Sequence, residues 1–203
     1  MIKAIFFDFD GVLTLNNSGT AQTCEYISEN TSIDYNLLID SFKNHKLDLL
    51  LGYKKYSDVL PKINNLINNN IDNKLLEEAF LSTPKNSPMF DLVKYLRSRG
   101  YKTGIITDNP IERFNVLEKE FNLDLIFDSI IISSKVHSLK TEFIIFETAL
   151  NSFNLNPSEI VFIDNSKKNL EIPSKMGINT IYYDDKENNI ELLISDLKGM
   201  DVD

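Results

Sequence analysis

Five short apolar runs punctuate the chain: Ile2 to Phe7, Thr103 to Ile106, Ile130 to Ile132, Ile160 to Ile163 and Thr180 to Tyr183. They are rich in β-branched and aromatic residues and mostly lack an alternation of polar with apolar positions. This is the pattern of strands buried on both faces. Between them lie segments with helical spacing. Phe90, Val93 and Leu96 form one stripe, closed by Gly100 as a C-terminal glycine closes a helix. Phe114, Leu117 and Phe121 form a second stripe, and Phe143, Phe146 and Leu150 a third. Pro157-Ser158 breaks the chain before the fourth strand. Strand and helix in alternation predict an α/β fold with a parallel sheet and right-handed crossovers.

One stretch departs from that rhythm. From about Thr20 to Phe80 only helical stripes occur, such as Tyr35, Leu38, Ile39, Phe42 and Val59, Ile63, Leu66. A run this long is too large for a loop. It predicts a helical domain over residues 16–84, inserted into an α/β core made of residues 1–15 and 85–203. The expected hinges are Leu15 to Gly19 and Ser82 to Pro88, the second rich in Ser, Pro and Asn. Asn, Ile and Lys are unusually common, which carries no functional signal, and Asn68-Asn69-Asn70 marks a loop.

Composition narrows the function classes. The chain has 203 residues, 42% hydrophobic and 25% charged, enough to bury a sizeable core and unlike a disordered segment. No apolar run reaches the ~18 residues of a membrane span. The opening apolar run is too short for a secretory leader and is cut off by Asp8. A net charge of -9, from 21 basic and 30 acidic residues, disfavours nucleic acid and anionic membrane surfaces as partners. The lone cysteine, Cys24, has no partner for an intramolecular disulfide and no basic neighbour to activate it. A cytoplasmic protein, with Cys24 packed in the helical insertion, is the expectation.

The chemistry concentrates at strand ends. Asp8 and Asp10 follow the first strand in Asp8-Phe9-Asp10-Gly11-Val12-Leu13-Thr14, two apart, so both carboxylates can face one site while Phe9 faces the core. Gly11 allows a sharp turn and a close approach to a ligand. The second strand ends in Thr107-Asp108-Asn109 and the fourth in Asp164-Asn165-Ser166. In open parallel sheets ligands bind beyond the carboxyl ends of the strands. An isolated acidic residue after a strand is usually a cap or turn former, which is the reading for Asp128 and Asp184. Two crowded carboxylates at a buried strand end instead repel and resist desolvation, so they need a cation or a shared proton. Carboxylate oxygens favour magnesium or a similar hard ion.

These residues resemble the motifs of the haloacid dehalogenase-like (HAD) superfamily, whose members are mostly phosphatases. Asp8 to Thr14 resembles the first motif, Ile105-Ile106-Thr107 the second, Lys140 the third and Phe162-Ile163-Asp164-Asn165 the fourth. The resemblance covers nearly the whole chain, in the family's order. It implies a Rossmann-like parallel sheet flanked by helices, with the insertion similar to the helical cap of C1-capped members. It further implies a magnesium-dependent phosphatase. Asp8 would be the nucleophile giving an aspartyl-phosphate, and Asp10 the acid and then the base. Thr107 would bind a phosphoryl oxygen, and Lys140 would pair with Asp8 and the transferring group. Mg2+ would be held by Asp8, the main-chain carbonyl of Asp10 and Asp164. The N–H groups of Asp108 and Asn109 could add phosphate contacts.

A charge count points the same way. Mg2+, Lys140 and one proton on Asp10, whose side chain is expected to stand free, turn three carboxylates into a pocket positive by about one charge. Asp10 also separates reactions, because a halide leaves without a proton whereas an alkoxide needs one. Three positions depart from the family pattern. Asn165 stands where many relatives have a second Asp, Thr141 follows Lys140 where Pro is usual, and Leu15 replaces the acidic residue of some sugar-phosphate mutases. His45, His137, Lys167 and Lys168 read as structural or solvated. The expected substrate is a small phosphorylated metabolite such as a sugar phosphate, phosphoglycolate or nucleoside monophosphate. A sugar-phosphate mutase and a catalytically idle binding protein on the same scaffold are the alternatives.

Overall fold

Each apolar run forms a strand, and the strands lie side by side in one parallel sheet. They are β1 (Ala4–Phe7), β2 (Lys102–Thr107), β3 (Ser129–Ile132), β4 (Ile160–Asp164) and β5 (Asn179–Tyr182), in the order β3-β2-β1-β4-β5. The computed structural model describes all 203 residues. Between β1 and β2 stand α1 (Gly19–Asn30), α2 (Tyr35–Lys43), α3 (Lys46–Leu50), α4 (Tyr56–Ile67) and α5 (Asn73–Leu81). The rest of the chain adds α6 (Ser87–Ser98), α7 (Ile111–Phe121), α8 (Leu123–Ile126), α9 (Ser133–Val136), α10 (Phe143–Phe153), α11 (Glu171–Lys175) and α12 (Ile190–Lys198). The fold is a Rossmann-like α/β sheet flanked by helices.

Alternation within the strands divides the core between two faces. Ile5 and Phe7 of β1 join Ile105, Val161 and Ile163 under α6, α7 and α12. Ala4 and Phe6 join Ile106 and Phe162 on the other face, under α10 and α11. The inserted helices bury a cluster of their own, including Cys24, Leu38, Phe42, Val59, Ile63 and Phe80. Asp34 and Asp72 cap α2 and α5, accepting from the N–H groups of Leu37 (3.0 Å) and Leu75 (2.8 Å). Three stripes each leave one expected member exposed, Tyr35 among them. Phe143 is 51% exposed while Ile145, Phe146 and Ala149 are buried, and Leu66 is exposed beside buried Ile67. A step of one residue turns a helix by about 100°, so the outer members of a stripe are the first to rotate off the buried face.

The two crossings into the insertion pair with each other. Thr14 and Lys85 form an antiparallel bridge, and the Leu15 N–H donates to the Pro84 carbonyl at 2.9 Å. Buried Asn86 fastens them to the core: its N–H donates to the Leu13 carbonyl (3.0 Å) and its Nδ2 to the Val12 carbonyl (2.9 Å). No helix is long and apolar enough to cross a membrane.

The sheet has one close approach that glycine alone permits. Gly104 pairs with Phe6 across β1 and β2, and a Cβ there would lie 2.3 Å from Phe6 Cε1. Gly104→Ala is therefore expected to cost about 1–3 kcal/mol through overpacking. A urea midpoint unchanged from the parent protein would contradict it.

Candidate active site

The strand order creates the site. The chain runs from β1 outward through β2 to β3 and then returns to the other side of β1 with β4, so the carboxyl ends of β2, β1 and β4 are neighbours. Thr107 ends β2, Asp8 follows β1, and Asp164 ends β4. Lys140 enters from the loop between α9 and α10. All four are buried.

Lys140 stands between the two acids. Its Nζ is 2.6 Å from Asp8 Oδ1 and 2.7 Å from Asp164 Oδ2. Burial and the nearby Asp164 charge hold the Asp8 carboxyl well above the usual range, against the pull of Lys140. Burial alone would lower Lys140, but Asp8, Asp164 and Asp108 together raise it above its ordinary value, so it stays an ammonium. Asp164 is held from below by the Ser166 N–H (2.7 Å) and by Asn169 Nδ2, 3.2 Å from each oxygen. Asp108 is pushed upward mainly by burial, and its Oδ1 accepts the Lys140 N–H at 3.1 Å. That bond fixes the Lys140 loop, together with a reciprocal turn between Leu139 and Glu142. The loop is thus held without a proline at Thr141.

Asp10 differs from expectation. Its side chain does not stand free: Arg113 Nη1 donates to Oδ2 (2.9 Å), Nη2 to Oδ1 (2.8 Å), and Asn109 Nδ2 to Oδ2 (2.9 Å). Both oxygens accept, the pattern of an ionised carboxylate. A guanidinium thus supplies the positive charge that a proton on Asp10 was expected to supply. Asn109 Nδ2 also reaches Thr107 Oγ1 at 2.8 Å. The Asn109 N–H donates to Ser133 Oγ (3.1 Å), so it is not free to meet phosphate, contrary to expectation. Asn165 packs against Gly11, where an added Cβ would lie 2.2 Å from Asn165 Nδ2 and φ is +85°.

Above these groups lies a cavity of about 350 Å³ lined by nineteen residues, only two of them hydrophobic. The core supplies Asp8, Asp10, Thr107, Asp108, Arg113 and Lys140, and the insertion supplies Thr20, Lys46, Leu50 and Tyr56. The insertion is docked across the opening. Ser133 Oγ donates to the Leu50 carbonyl (2.6 Å), and His137 Nδ1, which must carry the hydrogen, donates to that of Leu51 (2.7 Å). The Tyr56 N–H donates to Glu112 Oε1 at 2.8 Å. Tyr53 stacks on His137 with ring centres 5.8 Å apart, and Gly52 fits against the Ser134 carbonyl, 2.2 Å from where a Cβ would sit.

The model of the haloacid dehalogenase-like hydrolases matches residues 2–176. The chain belongs to that family. Among curated relatives, this HAD-like hydrolase is 24% identical over 201 residues to bifunctional epoxide hydrolase 2 of Rattus norvegicus, covering 89% of the chain and 36% of the relative. It therefore spans about a third of the length of the epoxide hydrolases it matches. It is 26% identical over 196 residues to the glyceraldehyde 3-phosphate phosphatase of Pyrococcus furiosus, covering 90% and 80%. A HAD family enzyme from Bacteroides thetaiotaomicron, solved as a magnesium complex, superposes with a TM-score of 0.76 at 20% identity over 95% of this chain and 98% of that one.

The donor set of this HAD-like hydrolase fits a hard divalent cation. Asp8 and Asp164 share a single ammonium, while Asp10 already has Arg113, so negative charge remains in excess where Asp8 and Asp164 meet. No three acidic, His or Cys side chains converge to hold a metal unaided, so such an ion would need main-chain oxygens or water to complete its set.

Sequence patterns did not point to Arg113, Ser133 or Asn169. Arg113 had the clearest signal. It lies in the first turn of α7, where the helix dipole disfavours a cation, and beside the buried stripe of Phe114 and Leu117. A charge placed there needs an anion.

Lys140→Met would leave two carboxylates buried without their shared counter-ion. In EDTA it is expected to destabilise the protein by about 3–5 kcal/mol. Adding Asp164→Asn should recover part of that loss in urea denaturation. No recovery would show that Lys140 is not the counter-ion of the pair.

Proposed function

We propose that the protein is a magnesium-dependent phosphatase acting on a small, hydrophilic phosphate monoester through an aspartyl-phosphate on Asp8. The observation that carries this reading is the meeting of Asp8, Asp10, Thr107 and Lys140 at one polar cavity, with Asp164 buried against Lys140. The likeness to a glyceraldehyde 3-phosphate phosphatase, and to a fold solved with magnesium and inorganic phosphate, supports it.

In this reading Asp8 Oδ attacks phosphorus as the ester P–O bond breaks, and the leaving alkoxide takes from Asp10 a proton that its carboxylate, here accepting at both oxygens, has first taken up from solvent or kept from the preceding turnover. Water then attacks phosphorus, giving its proton to Asp10, and the bond to Asp8 Oδ breaks. Asp10 with both oxygens accepting is in the form required for the second step. Thr107 Oγ1 and the Lys140 ammonium face the phosphoryl oxygens, where positioning and charge neutralisation supply most of the catalysis. Asp8, Asp164 and the Asp10 carbonyl would hold Mg2+, which when bound offsets the charge of a phosphate dianion. Asp10 favours phosphate ester over haloacid chemistry, since a halide needs no proton. The polar lining favours a hydrophilic substrate over a lipid. The helical insertion acts as the cap that covers the substrate and excludes bulk water.

A panel of phosphorylated metabolites with a generic aryl phosphate, assayed in Mg2+ and in EDTA, tests the reading. Turnover in Mg2+ and its loss in EDTA are expected; no release of inorganic phosphate from any compound would refute it. Asp8→Asn should lower kcat on the order of 10⁴-fold or more, the scale of losing a nucleophile. Acid-quenched enzyme should carry an acyl phosphate on the peptide containing Asp8. Mg2+ should also raise the melting temperature of the parent protein by mass action, and less so for Asp164→Asn. An equal rise in both would remove Asp164 from the metal set.

A further inference from the structure

We infer that Arg113 is the positioning residue for Asp10, and that it holds this role only while both crossings of the helical insertion are closed against it. The kinetic consequence rests on the phosphatase reading; the geometry does not.

The Arg113 guanidinium is 1% exposed, in the first turn of α7 where the helix dipole opposes a cation. Such a charge persists only if other groups compensate it, and these come from four separate segments. Asp10, after β1, takes both Nη atoms. Asn109, after β2, accepts from Nη1 at 2.6 Å. Thr83, in the returning crossing, accepts from Nη2 at 3.4 Å. Gly19, where the outgoing crossing becomes α1, lies so close that a Cβ would be 2.4 Å from the guanidinium Cζ. Thr83 in turn donates to Gln22 Oε1 of α1 at 3.1 Å, which ties the two crossings together beside the guanidinium. Nε is buried without a partner, so the group is held by its two terminal nitrogens and by packing.

A two-pronged donor fixes both the place and the plane of a carboxylate, which a lysine ammonium, a point charge, cannot do. Asp10 therefore keeps its aim only while Arg113 keeps its plane. Thr83 and Gly19 set that plane, and both belong to the crossings. Swinging the insertion away removes one acceptor and one packing surface from the guanidinium, loosening Asp10 without touching it.

Three measurements test this. Arg113→Lys should lower kcat on the order of 10²-fold, the scale of about 1 Å misplacement, with KM for an aryl phosphate changed far less. Gly19→Ala, which adds a methyl group at the cavity wall and removes no polar group, should press on the guanidinium and lower kcat in the same direction. It should add little in the Arg113→Lys background. An unfolding cycle of Asp10→Asn with Arg113→Lys in urea should be non-additive, and it needs no substrate. Arg113→Lys with the parent kcat, additive losses with Gly19→Ala, or an additive unfolding cycle would each overturn the inference. If the parent protein turns over no phosphate ester, the phosphatase reading fails and the unfolding cycle alone decides whether Arg113 positions Asp10.

Discussion

One ammonium between two buried carboxylates governs the rest of the structure. Lys140 reaches Asp8 and Asp164, neighbours because β1 and β4 are adjacent parallel strands whose carboxyl ends coincide. Removing three charges from water is costly, and one cation cannot balance two anions. The surroundings answer that imbalance with small, directed contributions. Ser166 and Asn169 donate to Asp164, and Asp108 anchors the main chain of Lys140. The excess negative charge that remains is suited to a divalent cation. The same economy makes the site poor at holding a phosphate dianion by side chains alone.

Asp10 solves a related problem by different means. A proton shared among crowded carboxylates would neutralise the pocket, but the chain places a guanidinium there instead. The net charge is similar, yet the consequence differs. A proton leaves orientation free, whereas a fork of two N–H donors imposes it. Asn109 extends the arrangement, since one amide nitrogen reaches both Asp10 and Thr107. Ser133 connects Asn109 to the Leu50 carbonyl on the far side of the cavity. Asp10, Thr107 and the covering helices thus share one hydrogen-bonded framework.

The fold was largely legible because its signals are local. Five apolar runs became five strands, and Asp8, Thr107 and Asp164 were conspicuous as polar residues abutting buried ones. Arg113 was not, because its partner lies 103 positions away and only the tertiary fold brings them together. The abundance of asparagine, which had no meaning in the linear pattern, acquired one in three dimensions. Asn68, Asn122 and Asn154 adopt left-handed backbone at the ends of α4, α7 and α10, a place more often filled by glycine. Cys24 is sealed in the insertion, with burial pushing its thiol up to about 12, so the chain's lone thiol is inert while that unit stays folded.

The paired crossings at Thr14 and Lys85 bear on how such a molecule can change over evolutionary time. Because the chain departs and returns at adjacent points, the α/β unit meets the inserted helices across a gap that a short turn could span. Whole helical modules can then be lengthened, shortened or exchanged without disturbing strand pairing, and new substrate preferences can arise by replacing the cover while the chemical floor is inherited intact.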